Sequence, residues 1–372
     1  MALSLLEGNE AVAWGAFDAG CRFFAGYPIT PATTIYNTML ALLPPTGGIV
    51  LQGEDEIASL GYCLGASMAG YKVMTATSGP GISLYSEHIS FAIASEIPVV
   101  IVDVQRLGPS TGYATKGADG DVQFLRWGNS GGAPAIVLAP VDVADCYTLT
   151  MQAFNLAEIY RCPVFLASSK EIGQTRESVD LASLERPALQ ERLLQPAESA
   201  YLPFRPATGH QVPYFAPIGG RVLSRQTSST HGEGGYITAD PKEIQALVER
   251  LDRKLTSAVE RFSYYRLWPT EGSDTLLITY GVTSRAARQA CGELAAAGRP
   301  LAHLVLKTLW PVPVELLRAT AADYSRVVVV EANLGQYVGE VQRVLRQKKV
   351  EFFGKMDGKL ISPAEIKEAV HA

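Results

Sequence analysis

The amino-acid sequence predicts an α/β fold, in which a mostly parallel sheet carries helices on both faces and a second α/β domain follows. Short, continuously apolar runs such as Pro98-Val99-Val100-Ile101-Val102 have the length and composition of buried strands. Helical patterns separate these runs over the first half of the chain. The alternation stops between residues 171 and 239 and resumes near residue 274, which indicates two folded units.

In the first unit, the element boundaries follow from residues that end helices and strands. Gly20 fits the C-cap of the first helix, and Pro44-Pro45 stops the second. The segment Ser78-Gly79-Pro80-Gly81 is predicted to be a sharp turn. Helices are predicted at 9–20, 32–43, 54–70, 82–95 and 141–160. Strands are predicted at 22–25, 49–51, 72–77, 98–104, 135–138 and 163–167, with a Gly/Ser/Thr-rich loop at 108–120.

Pro, Gly, Ser and Thr accumulate over 171–239, which predicts a long irregular connection that is functional or lies across a partner. Asp240-Pro241-Lys242-Glu243 then begins a helix to about residue 262, with Asp as N-cap and Pro at the first helical position. The second unit is predicted to have strands at 275–280, 301–306 and 326–331 and helices at 284–297, 313–321 and 336–347. We therefore predict three parts, namely a pyrimidine-binding domain at 1–195, an irregular linker and helix at 196–270, and a C-terminal α/β domain at 271–372.

Composition excludes several classes of partner. The 372 residues carry a net charge of −5 and no block of Lys and Arg, which argues against nucleic acid. The apolar runs are too short to cross a bilayer, and the first seven residues lack the basic and apolar regions of a signal peptide. We therefore expect a cytoplasmic protein without a membrane partner. Five dispersed cysteines are predicted to be buried reduced thiols. These cysteines are Cys21, Cys63, Cys146, Cys162 and Cys291. No metal ligands are predicted in this chain.

The strongest functional signal is a set of carboxylates at the start of an apolar helix, in Gln52-Gly53-Glu54-Asp55-Glu56-Ile57-Ala58. Enzymes that use thiamine diphosphate need a Glu in an apolar place, where it hydrogen-bonds N1′ of the aminopyrimidine and enables the imino tautomer. Glu56 fits this role best, because apolar residues follow it along the helix. A preference of acids for helix N-termini suffices to explain Glu54 and Asp55.

Two loops near the predicted carboxyl edge of the sheet are candidates for substrate binding. Two prolines fix Gly26-Tyr27-Pro28-Ile29-Thr30-Pro31, which is predicted to present the Thr30 hydroxyl to a substrate carbonyl or carboxylate. The same residues also fit an ordinary turn, with Thr30 as N-cap and Pro31 at the first helical position. The turn at 78–81 is a weak candidate for binding an anion through backbone N–H groups.

Arg106 ends an apolar strand, at the edge where ligands of open α/β sheets bind, and its guanidinium can hold a carboxylate. Lys116 and Asp121 are weaker candidates for the same pocket. Thiamine enzymes also hold the diphosphate and magnesium through a Gly-Asp-Gly stretch, and Ala118-Asp119-Gly120-Asp121 does not match it. No cysteines cluster for an iron–sulfur centre. The sequence therefore predicts half of a site, with diphosphate, metal and redox centre supplied by another chain.

With these motifs, the chain resembles the alpha subunit of 2-oxoacid:ferredoxin oxidoreductases, most of all the 2-oxoglutarate branch. The resemblance covers nearly the whole chain, and the motifs are specific when taken together. They are Gly8-Asn9-Glu10-Ala11, Ala25-Gly26-Tyr27-Pro28-Ile29-Thr30-Pro31, Glu54-Asp55-Glu56-Ile57-Ala58, Thr75-Ala76-Thr77-Ser78-Gly79-Pro80-Gly81, Gln105-Arg106-Leu107-Gly108-Pro109-Ser110-Thr111-Gly112, Ala153-Phe154-Asn155-Leu156-Ala157-Glu158, Thr230-His231-Gly232-Glu233 and Glu331-Ala332-Asn333-Leu334-Gly335-Gln336.

The resemblance implies a pyrimidine-binding domain followed by a transketolase-C-terminal-like domain. It implies that Glu56 and Tyr27-Pro28-Ile29 bind thiamine diphosphate, and that Thr30 and Arg106 hold the carboxylate and keto oxygen of a 2-oxoacid. The cofactor is shared with a beta subunit that carries Mg²⁺ and a [4Fe–4S] cluster, and gamma and delta chains are left open. The implied reaction is coenzyme A-dependent oxidative decarboxylation with ferredoxin as acceptor, or its reverse.

Several alternatives stay open at this stage. The sequence departs from the commonest family pattern around 113–121, and it lacks a fused gamma domain before the 27–31 loop. Both departures bear on the substrate, for which 2-oxoglutarate leads and pyruvate, a branched-chain or an aryl 2-oxoacid are alternatives. A non-catalytic scaffold subunit is disfavoured by the joint presence of Glu56, Thr30 and Arg106. A Rossmann-type enzyme is disfavoured because no G-x-G-x-x-G follows the first strand.

Overall fold

The computed structural model describes residues 3–196 and 200–371. Residues 1–2 and 372 of the predicted outer domains, and residues 197–199 of the predicted linker, lie outside the described residues. In chain order, strands β1 to β14 are Ser4–Glu7, Phe23–Gly26, Ile49–Gln52, Val73–Thr77, Val99–Gln105, Ile136–Leu138, Pro163–Ser169, Arg176–Val179, Tyr265–Trp268, Thr275–Tyr280, Ala302–Leu306, Thr308–Trp310, Arg326–Glu331 and Lys349–Gly354. Helices α1 to α13 are Gly8–Asp18, Thr33–Leu42, Glu56–Met68, Gly79–Leu84, Ser86–Ala94, Val122–Trp127, Val143–Tyr160, Lys170–Gln174, Pro241–Thr256, Thr283–Ala296, Val314–Ala321, Val338–Val344 and Pro363–His371.

Seven strands form the first sheet, in the order β12-β6-β7-β5-β4-β2-β3. All neighbours are parallel except β12, which runs antiparallel to β6 at one edge. Helices α1, α2 and α7 pack on one face around Val12, Ile35 and Phe154. Helices α3, α4 and α5 cover the other face, which confirms the predicted architecture.

Five strands form the second sheet, in the order β14-β13-β10-β11-β9, with β9 antiparallel at its edge. Leu304 on β11 and Val329 on β13 belong to the same buried cluster as Ile101 on β5 of the first sheet. Strand β12 follows β11 in sequence but pairs with the first sheet. The two sheets are therefore joined by a continuous core as well as by the chain.

Several elements differ from the sequence prediction. The predicted turn at 78–81 is the start of helix α4, with Ser78 as its N-cap, and the predicted helix at 82–95 is divided into α4 and α5 at Tyr85. The predicted irregular stretch from 171 contains the end of α8 and strand β8, which pairs antiparallel with β1. The sequence Arg-Glu-Ser-Val of β8 has no apolar alternation, so its pairing leaves no local signal. Strands β1, β9, β12 and β14 and helices α6 and α13 are also absent from the sequence prediction.

Buried ion pairs hold the irregular connection and helix α9 against the first sheet. Glu96 pairs with Arg250 at 2.6 Å and with Lys254 at 2.9 Å. Burial acts to raise the pKa of Glu96, but Lys254 and Arg250 outweigh it and lower the pKa to about 2. Arg192 on the connection pairs with Glu158 of α7 at 2.6 Å. Because removing one partner of a buried pair leaves an unpaired charge, these contacts fix the path of the connection.

The cysteines and helices agree with the remaining expectations. All five cysteines are buried and free, as predicted, and burial raises the pKa of the Cys21 thiol to about 12. No helix in the described part of the chain is long and apolar enough to cross a membrane. The predicted start of helix α9 is confirmed, since Asp240 accepts hydrogen bonds from the backbone N–H groups of Lys242 and Glu243. The predicted domain boundaries remain predictions.

Candidate active site

Glu56 is the first residue of helix α3, directly beyond the carboxyl end of strand β3, and its side chain is 7% exposed. Asp55 is the N-cap, with its Oδ1 accepting from Ala58 N at 2.7 Å, so it has a structural role at the helix N-terminus, where the sequence analysis explained it as an acid favoured by the helix dipole. Glu54 is exposed and precedes the helix. Among the described residues no donor hydrogen-bonds the Glu56 carboxylate. A carboxylate without a donor, in a residue that is almost fully buried, is available to a ligand.

The start of helix α4 packs directly against Glu56. A methyl group at Gly81 would stand 2.8 Å from Glu56 Oε1 and would overlap Thr77 Oγ1. Only a glycine therefore permits this close approach. Nearby, Thr75 Oγ1 lies 2.9 Å from the hydroxyl of Tyr85. Burial raises the pKa of Tyr85, so its hydroxyl stays neutral. On the side of helix α4, Glu56 therefore borders small and neutral groups.

We expect Gly81→Ala to destabilise the folded chain by about 1–3 kcal/mol, because the added methyl overlaps Thr77 and Glu56. Gly65→Ala in the exposed part of helix α3 is the matched control, since a methyl there meets nothing within 4 Å. Alanine should stabilise that helix by up to about 1 kcal/mol. Thermal unfolding of both variants measures the difference, and a Gly81→Ala chain as stable as Gly65→Ala would contradict the tight packing.

Thr30 and Arg106 come together in the folded chain. Arg106 Nη1 donates to the Thr30 backbone oxygen at 2.6 Å, and Nη2 donates to the Thr111 oxygen at 2.8 Å. Asn9, fully buried in helix α1, donates from Nδ2 to the Pro31 oxygen at 2.8 Å. The alternative explanation of Thr30 as an N-cap is wrong, because helix α2 begins at Thr33. Thr30 lies in an exposed turn that is held from both sides.

Arg106 is 6% exposed, and its Nε has no hydrogen-bond partner among the described residues. Burial lowers the pKa of Arg106, while the charges of Asp121 and Glu56 raise it. These three residues, far apart in sequence, therefore belong to one electrostatic site. Tyr27, three residues before Thr30, is 40% exposed, whereas the stem of Lys116 lies against Gly358 of the second domain. The structure thus groups Asp121, but not Lys116, with Arg106.

The second domain holds the loop that follows Arg106. Asn333 donates from Nδ2 to the Asp119 oxygen at 2.8 Å. Gln336 donates to the Gly120 oxygen and accepts from Gln123 N at 2.9 Å. Sequence reasoning singled out the segment that contains Asn333 and Gln336 but did not predict its target. These contacts set the position of the loop and hence of the acids within it.

Asp119 is buried between the two domains, and a methyl at Gly281 would stand 2.8 Å from its Oδ2. Burial, with Glu171, Asp121 and Glu331 nearby, raises the pKa of Asp119 to about 8 from the ordinary value of 3.8. The folded chain keeps this proton up to a pH of about 8, whereas the unfolded chain loses it near pH 4. The contribution of Asp119 to stability is therefore highest below pH 4 and falls as the pH rises to 8.

Asp119→Asn should therefore raise the unfolding temperature at pH 8, because the amide is neutral at every pH. The gain should shrink as the pH is lowered towards 4, where Asp119 is protonated in both states. Thermal unfolding across this range measures the effect, with the exposed Asp357→Asn as a control of unchanged pH dependence. If the difference in unfolding temperature between wild type and Asp119→Asn is the same at every pH in this range, Asp119 is not neutral in the folded chain.

Family models match both domains. The model for "Pyruvate flavodoxin/ferredoxin oxidoreductase, thiamine diP-bdg" matches residues 14–250, and the model for "Pyruvate:ferredoxin oxidoreductase core domain II" matches residues 273–366. Together they span the sheets that carry Glu56 and the loop contacts of the second domain. The thiamine-diphosphate class of this first model agrees with the chemistry that the buried carboxylate suggested.

Relatives and a solved structure point in the same direction. The chain is 41% identical over 363 residues to the 2-oxoglutarate synthase subunit KorA of Methanothermobacter thermautotrophicus, covering 97% of this chain and 96% of the relative. It is 33% identical over 370 residues to the ketoisovalerate oxidoreductase subunit VorB of that organism, covering 100% and 97%. The 2-oxoglutarate:ferredoxin oxidoreductase from Magnetococcus marinus, solved with 2-oxoglutarate, coenzyme A and succinyl-CoA, matches with a TM-score of 0.92 at 32% identity. The match covers 100% of this chain but 65% of that one.

Proposed function

Because the chain belongs to the pyruvate flavodoxin/ferredoxin oxidoreductase family, we propose that it is the alpha subunit of a thiamine-diphosphate-dependent 2-oxoacid:ferredoxin oxidoreductase. The reaction is the coenzyme A-dependent oxidative decarboxylation of 2-oxoglutarate to succinyl-CoA and CO₂, with ferredoxin reduced, or the reverse. The observation that carries the proposal is the buried Glu56 carboxylate, which has no donor among the described residues and lies in the electrostatic field of Arg106. The names of the KorA relatives and of the solved structure support 2-oxoglutarate.

The residues present fit the pyrimidine end of thiamine diphosphate. Glu56 offers a carboxylate acceptor, the glycine at position 81 lets helix α4 pack directly against it, and Arg106 Nε is a buried donor without a partner in the described chain. When bound, the cofactor supplies the electron sink for decarboxylation next to a carbonyl. Glu56 would hold the proton at N1′ of the pyrimidine, with Tyr27-Pro28-Ile29 beside the ring. The turn at Thr30 and the guanidinium of Arg106 would hold the carboxylate and keto oxygen of the 2-oxoacid.

We assign the diphosphate site, Mg²⁺ and the [4Fe–4S] cluster to a beta subunit that shares the cofactor with this chain. The position of Asp119 supports this division, because it is buried against the second domain and cannot face a diphosphate at the surface. The five buried thiols, free in the structure, are likewise enclosed and fit a reducing compartment such as the cytoplasm. Ferredoxin and coenzyme A complete the proposed reaction, and gamma or delta chains are further candidate members of the complex.

A second candidate substrate is a branched-chain 2-oxoacid. The VorB relative, named for ketoisovalerate, is 33% identical over the full length of this chain. 2-Oxoglutarate and a branched-chain 2-oxoacid differ in the charge of their side chains but have the same 2-oxoacid end. An enzyme distinguishes such substrates through the part of the pocket that contacts the side chain. Glu56, Thr30 and Arg106 would therefore have the same roles with either substrate, and the experiment below distinguishes the two substrates.

Anaerobic co-purification with the chain encoded beside this one, followed by viologen reduction with coenzyme A and a panel of 2-oxoacids, tests the proposal. We expect reduction with 2-oxoglutarate that depends on both chains and on added thiamine diphosphate. If only ketoisovalerate supports viologen reduction, the proposed substrate becomes a branched-chain 2-oxoacid. If no 2-oxoacid supports reduction, the result favours a scaffold subunit. The isolated chain should show no iron absorbance, whereas a stoichiometric cluster would overturn the division between subunits.

A further inference from the structure

A pair of acids lies behind Arg106, where the proposed reaction does not use them directly. Asp103 on strand β5 is 0% exposed, and neither of its oxygens meets an N–H or O–H donor from the described residues. It lies on the same face of β5 as Gln105, two residues on. Gln105 Oε1 accepts from the backbone N–H of Asp121 at 3.0 Å. This bond places Asp121 over Asp103.

Asp121 interacts with both neighbours, since its side chain hydrogen-bonds Asp103 and its charge acts on Arg106. A methyl at Gly79 would stand 3.3 Å from Asp121 Oδ2, which is buried and has no donor among the described protein groups. The carboxyls of Asp103 and Asp121 are close enough to hydrogen-bond each other. Two ionised carboxylates cannot form such a bond, because neither carries a proton. One shared proton gives Asp103 and Asp121 a hydrogen bond to each other, and no protein donor within the described chain reaches Asp103 Oδ1, Asp103 Oδ2 or Asp121 Oδ2.

We propose that Asp103 and Asp121 share one proton, so that the pair carries a single negative charge that opposes Arg106 and sets the affinity of the site for its 2-oxoacid. Asp103 is the donor and Asp121 the ionised acceptor. The part of the proposal that concerns affinity rests on the proposed function, whereas proton sharing does not. Both acids are positioning residues, because they act on the substrate through Arg106.

The surrounding charges support this division of roles. Burial, followed by the charge of Asp121, raises the pKa of Asp103 well above its usual range. Burial also raises the pKa of Asp121, to about 6, while its hydrogen bond from Asp103 and the charge of Arg106 act to lower it. The charge of Arg106 acts to lower the pKa of Asp121, whereas the charges that raise the pKa of Asp103 are those of Asp121 and Asp119. The charge of the pair therefore resides on the residue nearer to the guanidinium.

Other ionisable groups around the pair do not reverse this assignment. Glu56 on helix α3 is the other acid whose charge acts on Arg106. Asp119 acts on Asp103 from the same loop as Asp121, but it keeps its own proton up to a pH of about 8. Beyond it, Glu171 and Glu331 act on Asp119. At pH 7 the three aspartates of this cluster thus present about one negative charge to Arg106, carried by Asp121.

Two conservative variants separate the roles in the assembled complex. In Asp103→Asn the amide replaces the acid proton as donor to Asp121, so the KM for the 2-oxoacid at pH 7.5 should stay within about threefold of wild type. In Asp121→Asn the amide donates to Asp103 instead, which moves the charge away from Arg106. The KM should then fall at least about threefold, because Arg106 attracts the substrate anion with less opposition. A merely structural role for Asp121 predicts a rise.

The pH dependence supplies a second readout. In wild type the KM should rise as the pH passes about 6, since ionisation of Asp121 weakens the attraction of Arg106 for the anion. Asp121→Asn should lose this transition, and Asp103→Asn should move it to lower pH because the amide is a permanent donor. A raised KM in Asp121→Asn, or a transition unchanged in both variants, would overturn the assignment.

Proton sharing itself can be tested without turnover. An infrared difference spectrum of the full chain at pH 7.5, wild type minus Asp103→Asn, should contain the C=O stretch of a protonated carboxylic acid. Asp119→Asn serves as a control, because its difference spectrum reports a separate protonated acid. Absence of the Asp103 band would refute the shared proton even in an active complex. A band present in a complex that turns over no 2-oxoacid would keep the shared proton and reject the proposed function.

Discussion

Glu56→Gln is expected to lower turnover of the assembled complex by about two to four orders of magnitude, the range that positioned acid–base groups contribute. Glutamine has the same shape but cannot hold and return a proton at N1′ of the pyrimidine. The carboxylate is 7% exposed and receives no hydrogen bond from any described residue, so its replacement breaks no contact that the fold needs. Viologen reduction with 2-oxoglutarate and coenzyme A measures the loss.

The matched control is Glu54→Gln, two residues earlier, where the side chain is exposed and outside the helix. It makes the same chemical change in the same turn and should leave turnover within about twofold. Size and subunit content should be unchanged in both variants, because neither carboxylate makes a contact within the described chain that an amide would lose. Near wild-type turnover in Glu56→Gln would remove Glu56 from its proposed role.

The position of Glu56 could be predicted from sequence because its signal is local. Acids at the start of an apolar helix are visible in seven consecutive residues, and the helix itself begins within two residues of the prediction. The need for Gly81 could not be predicted in this way. The methyl group that would clash at Gly81 meets Glu56, which lies 25 residues earlier in the chain. Close approach of distant segments is a property of packing, which periodicity does not report.

The same distinction separates the predicted strands from those that were missed. Strands β10 and β13 match their predicted ranges, because each is centred on consecutive apolar residues, Leu-Leu-Ile in β10 and four valines in β13. Strand β12 has three residues and pairs with β6, which precedes it by about 170 residues. Such an edge strand is defined by its partner and not by its own composition. The joining of the two sheets therefore became visible only in the structure.

The hydrogen bonds that hold the loop at residues 119–121 explain why the second domain matters for the site. Asn333 and Gln336 hold this loop from the second domain, and Gln105 holds it from the first. The loop in turn carries Asp121, whose charge acts on Arg106. A chain without the second domain would leave these hydrogen bonds unmade. We infer that the second domain contributes to the site by placing a charge.

Arg106→Ala should raise the KM for the 2-oxoacid by about 10- to 100-fold, which corresponds to the loss of a charged hydrogen bond of about 1.5–3 kcal/mol. The substitution also removes the hydrogen bonds from Arg106 to the oxygens of Thr30 and Thr111. Arg106→Lys separates these effects, because lysine keeps the charge but cannot span both carbonyls in the geometry of the guanidinium. We expect its KM to lie between those of wild type and Arg106→Ala.

Lys116→Ala is the matched control for the loss of a cation near the same loop. Lys116 is exposed and its stem lies against Gly358, so its removal should change the KM by less than about twofold. An equal rise in both alanine variants would indicate a general electrostatic effect of the loop, and unchanged kinetics in Arg106→Ala would exclude it from substrate binding. If the Asp121 carboxylate opposes the Arg106 guanidinium, the two substitutions should shift the KM in opposite directions. Arg106→Ala should raise the KM, and Asp121→Asn should lower it.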